Sequence, residues 1–341
     1  MGEHGHVKRM VPAAGGDNHS SADGGASTAL GGAARPSIGG QAVLEGVMMR
    51  GPSSWSVACR KPDLSIAVER FPLPTLQQRH PWLKWPLVRG CFVLGESLAI
   101  GIKALMISAN HALEEEEEQL SDKQLGWTMS VALVAFTAIF IALPVFGTRL
   151  FKSLLDLDDL GALSSNLIEG AIRLSLFVGY LLLIGQFKDV RRVFQYHGAE
   201  HKTIYAYENG DPLDPKIIDD KYSTLHVRCG TNFLFIVLFL TIIAHFVIDI
   251  VVADSLFLRL AIRIGAIPVL AGFSYEAIKL ASRNENSLVF RISMLPGLAL
   301  QKITTKPPSL DQIEVAIEAM KAVAPGPHSS GSEDAPAAPV S

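Results

Sequence analysis

The sequence predicts a mainly α membrane protein: about four transmembrane helices plus an amphipathic helix, with a small cytoplasmic β-containing module. Three observations predict it. Apolar residues make up 49% of the 341 residues and charged residues only 18%. The apolar residues are gathered into long runs: residues 128–147 carry no charge, residues 232–252 carry only Asp249, and 171–187 and 256–281 are also of near-spanning length. Such runs match the roughly 20 residues that a helix needs to cross the hydrocarbon of a bilayer. Finally, Lys and Arg cluster in the segment 188–231 and in the tail beyond 281, which the positive-inside rule assigns to the cytoplasm. A multi-pass protein of the cell (inner) membrane with both termini cytoplasmic follows, in contact with membrane lipids.

Taken in order, residues 1–37 are Gly-, Ala-, Ser- and His-rich and hold too few large apolar residues to bury a core. A disordered tail is expected there and again over 325–341. Residues 38–85 form the small module. Gly39 and Gly40 open it, and 54–60 and 64–71 alternate as two strands around Lys61-Pro62-Asp63, a turn signal.

Residues 86–127 hold an apolar helix and an acidic linker. Arg89, Glu96, Lys103 and Asn110 recur every seven positions and so form one stripe along the helix. That pattern suits an interfacial, re-entrant or packed helix better than a lone lipid-facing span. If the helix does cross, the β-containing module moves to the opposite side of the membrane from the loop 188–231. The acidic run 114–118 reads as a solvated helix end.

Spans one and two occupy 128–187, the cytoplasmic loop 188–231, and spans three and four 232–281. In the tail 282–324, Ser309 and Gln312 form a capping box that opens an amphipathic helix with Ile313, Ala316, Ile317 and Met320 on its apolar face. This helix is expected to pack on the cytoplasmic module.

Composition also excludes classes. No basic patch with interleaved aromatics suggests nucleic acid. Three widely separated cysteines, Cys59, Cys91 and Cys229, argue against a disulfide framework and for a reducing compartment. The first long apolar run lies far from the N-terminus, so no cleavable signal peptide is expected.

The chemistry concentrates at His-Gly-Ala-Glu-His, residues 197–201. On a helix, His197 and His201 lie one turn apart on one face, where both imidazoles reach a single divalent ion, zinc being the first choice for such donors. Glu200 stands beside them as general base for a bound water. A third ligand is required. Glu208 continues the same face but lies roughly 10 Å further along the axis, too far in an unbroken helix, and Asn209-Gly210 is a helix stop just beyond it. His226 or Cys229, returning from the polar loop, would complete a tetrahedral site with one open position. Arg228 reads equally as a clamp for a phosphate or carboxylate or as a membrane-side anchor. Glu45 and Arg50 either line the site or form an internal ion pair. Within the apolar runs, His245 and Asp249 are one turn apart, as are Arg259 and Arg263, and an Asp249–Arg259 pair is the simplest expectation.

Four stretches, taken together, carry a resemblance: Gly39 through Arg50, Tyr196 through Lys202, His226 through Thr231, and Pro296 through Thr305. The chain resembles the YqhQ-like bacterial membrane proteins, a family built on a domain of unknown function (1385) and described as predicted metal-dependent enzymes. The likeness runs from about residue 38 to 323 and implies a metal-dependent activity without naming a substrate. Metallopeptidases with the same inverted histidine–glutamate motif share only those five residues, so peptidase activity does not follow. Three functions are therefore expected in order: a metal-dependent, hydrolytic enzyme acting on an amphiphilic or membrane-associated substrate, a non-catalytic scaffold with a structural metal or none, and a transporter.

Overall fold

The computed structural model describes residues 35–73, 81–112, 122–157, 161–251, 256–281 and 287–324. The acidic run 114–118 and nearly all of the two expected tails lie outside the described residues.

Four strands form an antiparallel meander in sequence order: β1 (Gly39–Val43), β2 (Gly46–Arg50), β3 (Ser54–Arg60) and β4 (Ile66–Pro72). The β3–β4 turn is closed by Lys61 N–H to Ser65 O at 2.9 Å, and the Asp63 carboxylate accepts from Ser65 N–H at 2.9 Å. Beyond the two strands expected, β1 and β2 are additional. They lack the polar alternation that marks a half-exposed strand, because the centre of this sheet is covered on both faces. Val47, Met49 and Ala58 face one helical layer, while Met48, Trp55 and Val57 face another. The β1–β2 turn places Glu45 at φ 49, the left-handed region that a residue with a side chain seldom occupies.

The helices are α1 (Val88–Ala112), α2 (Asp122–Thr137), α3 (Leu143–Leu154), α4 (Ala162–Ile184), α5 (Lys188–Asn209), α6 (Pro215–Lys221), α7 (Gly230–Val251), α8 (Leu256–Ala281), α9 (Leu288–Thr304) and α10 (Leu310–Val323). A π-helical turn, Ala138–Ala142, joins α2 to α3 in one continuous rod. Among the described residues five helices are long and apolar enough to cross a membrane: Val88–Ala112, Gly126–Leu154, Leu163–Ile184, Gly230–Ile248 and Ala261–Leu280. The first is the helix that the sequence left ambiguous.

α1 packs on one face of the sheet; α5 and α10 cover the other. The capping box of α10 is present, with Ser309 and Gln312 each bonding the other's backbone, and Ile313, Ala316, Ile317 and Met320 are all buried. Ser56 Oγ donates to Ala319 O at 2.7 Å and ties that helix to β3.

A polar node sits inside the apolar helices. Glu169 on α4 bonds Arg173 at 2.7 Å and Arg263 of α8 at 2.9 Å, and His245 Nδ1 of α7 lies 3.6 Å away. Arg173 Nε donates to Phe140 O at 3.1 Å, a carbonyl within the π-helical turn, where the ladder of backbone bonds is interrupted. Glu169, Arg173, His245 and Arg263 are thus all buried and engaged with one another. The expected Asp249–Arg259 pair lies outside the described side chains; the partner that the structure gives Arg263 is Glu169.

Candidate metal centre

Helix α5 carries the histidine pair and ends where Asn209-Gly210 predicts. Gly210 adopts φ 77, with its N–H bonded to Tyr207 O at 3.1 Å and that of Asp211 to Ala206 O at 3.0 Å. One turn apart, the His197 and His201 rings have centroids 4.4 Å from each other.

Both rings are oriented through the same atom. His197 Nδ1 lies 2.9 Å from Thr304 O, and His201 Nδ1 lies 2.5 Å from Thr224 O. A carbonyl only accepts, so each Nδ1 carries the proton and each Nε2 keeps its lone pair free for a metal. The segment after α9 reaches this close because residue 198 is glycine: a Cβ there would collide with the Lys306 carbonyl. Lys306 N–H donates to Phe194 O at 2.9 Å, fixing the approach.

Cys229, immediately before α7, places Sγ 3.3 Å from His197 Nε2, and accepts from Thr231 N–H at 3.4 Å. The ligand atoms of His197, His201 and Cys229 all lie within 4.8 Å of one another, the one such group among the described residues. Two imidazoles and a thiol are a zinc donor set, and three protein ligands leave a fourth position open.

Glu200 is 4% exposed and has its Oε2 3.9 Å from His197 Nε2. Burial raises its pKa to about 7, against a weaker opposing pull from His197. The sheet supplies the cover, for a Cβ at Gly40 would lie only 2.6 Å from Glu200 Oε1.

His226 comes close without joining the group of three. Its ring centroid is 5.4 Å from that of His201 and 4.5 Å from Tyr205, and its Nδ1 accepts from Arg228 N–H at 3.3 Å. Gln301 clamps the same backbone twice, accepting from His226 N–H and donating to His226 O, each at 2.8 Å. His226 Nε2 is buried with no hydrogen-bond partner among the described residues, and burial holds the ring's pKa well below the ordinary value, with His201, Arg228 and His197 acting in the same direction.

The remaining candidates are engaged elsewhere. The Arg228 guanidinium pairs with Glu208 and lies 3.3 Å from Ser37 Oγ. Glu45 pairs with Arg192 and lies 3.3 Å from Tyr196 Oη. Arg50 pairs with Glu96 and donates to Ser97 Oγ at 2.8 Å, on the face of the sheet opposite α5. All three residues make internal ion pairs. Sequence reasoning did not assign Thr224, Thr304, Gly40 or Gln301 to the site. The signal was indirect: Gly40, Gln301 and Thr304 lie within the stretches that carry the family resemblance.

The model of a family described as "Protein of unknown function (DUF1385)" matches residues 85–325. The chain is 34% identical over 298 residues to the "Uncharacterized protein YqhQ" of Bacillus subtilis (strain 168), covering 83% of this chain and 91% of that protein. No solved structure matches. The chain belongs to the DUF1385 family.

Proposed function

With membership of that family as premise, we propose that the protein is a metal-dependent, hydrolytic enzyme of the inner membrane, its site on the cytoplasmic face. The observation that carries this reading is the convergence of His197, His201 and Cys229 within 4.8 Å, with the buried Glu200 carboxylate alongside. His197 and His201 would hold the ion through Nε2 and Cys229 through Sγ. A bound zinc ion would supply Lewis acidity and a water made acidic enough to give up its proton near neutral pH.

The chain's own residues do the rest. The carbonyls of Thr304 and Thr224 hold the two rings in the ligating tautomer. Glu200, kept dry by β1 and α5, takes a proton on its carboxylate and returns it to the leaving group. Of the alternatives, a scaffold with a structural metal calls for a closed shell of four ligands. His226 stands outside the three-atom group and Glu200 lies beside it, which favours the enzyme. The apolar helices beside the site favour an amphiphilic or membrane-associated substrate.

The testing experiment compares Glu200→Gln with wild type in a deletion strain, alongside elemental analysis of both purified proteins. An enzyme requires a variant that keeps its metal and fails to complement. Complementation by a stable Glu200→Gln protein would end the hydrolase reading.

A further inference from the structure

We propose that α1, although long and apolar enough to span, does not cross the membrane: it lies along the bilayer surface and docks its outer face into the apolar boundary of the cytoplasmic leaflet. The inference is independent of any catalytic role for the metal centre. Three observations carry it.

The first is parity. The sheet precedes α1 and α5 follows α4, yet the two touch directly: Gly40 lies against Glu200, and Arg192 pairs with Glu45. Elements in contact are on the same side of a membrane, so the chain between them crosses an even number of times. Three helices of spanning length lie between, Val88–Ala112, Gly126–Leu154 and Leu163–Ile184. An odd number of them, one or all three, therefore does not cross.

The second observation says which. From Glu96 to His111, about 22 Å at 1.5 Å per residue, α1 rests on the sheet. Arg50 pairs with Glu96, Lys103 Nζ sits 4.6 Å over the Phe71 ring, and His111 Nε2 lies 2.6 Å from Glu69 Oε1. Were α1 to span, it would carry this sheet into hydrocarbon, where the sheet's edge amides and ionised side chains would have no water. The other two helices carry no such load.

The third concerns the outward face. The seven-residue stripe of polar residues is turned toward the protein: Arg89 bonds Glu276 of α8 at 3.1 Å, while Glu96 and Lys103 bind the sheet. What remains outside is mostly apolar, with Leu98 61% and Leu105 40% exposed and Lys103, also exposed, reaching back over the Phe71 ring. Trp82 and Trp85, just before the helix, are likewise exposed, at 56% and 67%. Such a face is expensive in water. It is continuous with the apolar exterior of the bundle, because the start of α1 packs against the C-terminal half of α8, Gly90 on Gly272 and Cys91 Sγ on Pro268 O at 3.1 Å. Apolar residues outward, polar residues inward and tryptophans at the edge describe a helix seated in the headgroup–acyl boundary.

The full chain reconstituted in phosphatidylethanolamine/phosphatidylglycerol vesicles gives two independent measurements. In the first, Lys61→Cys, Lys123→Cys, Pro212→Cys and Asp156→Cys are treated one at a time with a membrane-impermeant maleimide, and the modified peptide is identified by mass. The first three should label from one side and Asp156→Cys from the other. Labelling of Lys61→Cys and Lys123→Cys from opposite sides would overturn the proposal.

In the second, nitroxides at Leu98→Cys and Leu105→Cys report depth through their exposure to oxygen and to an aqueous nickel chelate. An in-plane helix puts both at one shallow depth, whereas a crossing helix separates them by about 10 Å. A fixed short-range dipolar coupling between copies, with both nitroxides shielded from oxygen, would assign this face to a second copy and overturn the lipid assignment.

Discussion

His197 Nδ1 lies 2.9 Å from the main-chain oxygen of Thr304, a residue 107 positions later in the chain. The bond fixes the proton on Nδ1 and frees Nε2 toward Cys229 Sγ, 3.3 Å away. Ligand geometry in the middle of α5 therefore depends on where α9 ends. No side chain at 304 supplies this carbonyl, so substitution acts on it only through the backbone around it.

The first expectation is metal stoichiometry. Purified protein should carry close to one zinc-class ion, and His197→Ala, His201→Ala or Cys229→Ser should each remove most of it. His226→Ala should retain the ion, since that ring stands outside the three converging atoms. Elemental analysis of the four variants decides; full occupancy in both α5 histidine variants would refute the site.

The second concerns proton transfer. Glu200→Gln should keep the metal and lower turnover about a hundredfold to ten-thousandfold, the usual share of a general base. Gly40→Ala should weaken function by displacing the same carboxylate, which a Cβ at residue 40 would meet at 2.6 Å. Complementation measured against protein abundance separates both from misfolding.

Gly198→Ala tests the close approach between α5 and the chain after α9. The methyl group would collide with the Lys306 carbonyl, and overpacking of this kind typically costs about 1–3 kcal/mol. A thermal melt in detergent should show a clear fall in Tm and weaker metal retention. An unchanged melt would mean that the segment 304–306 yields easily.

A larger loss is expected at the buried node. Glu169→Gln removes the carboxylate that Arg173 and Arg263 share, and breaking a buried ion pair from one side costs about 3–5 kcal/mol. Protein yield and melting temperature should both drop, with metal binding in the surviving fraction intact.

The thiols should differ in reactivity. Burial pushes the Cys59 pKa up to about 12, with Glu69 and Glu45 adding to the shift. A raised thiol pKa means less thiolate at every pH below it, so Cys59 should resist alkylation from pH 7 to 9 until the protein is unfolded. Peptide mapping after iodoacetamide treatment reads this directly; rapid modification of folded protein would contradict the burial.

Local signals made much of this legible in the sequence. The spacing of His197 and His201, the stop at Gly210 and the capping box at Ser309 each depend on residues within one or two turns, and each stands as read. The hairpin β1–β2 did not announce itself, because a sheet covered on both faces needs no polar alternation and because Glu45 occupies a turn position usually given to glycine or asparagine. At the site, side chains could be proposed from their types. The carbonyls of Thr224 and Thr304 could not, since every residue has one and only the tertiary fold selects which is used. For Arg228, Glu45 and Arg50, residue type left two readings open, and the ion-pair partners were visible only in three dimensions.

The dependence of His197 on Thr304 also sets an order of events at the ribosome. The chain emerges N-terminal end first, so both histidines and Cys229 leave the ribosome well before α9 is made. Until then His197 has no carbonyl to hold its tautomer, and any ion it meets is held by an unsupported ring. If the site holds metal as proposed, full loading would wait until every apolar helix has been made, and a stalled or clipped chain would be metal-poor.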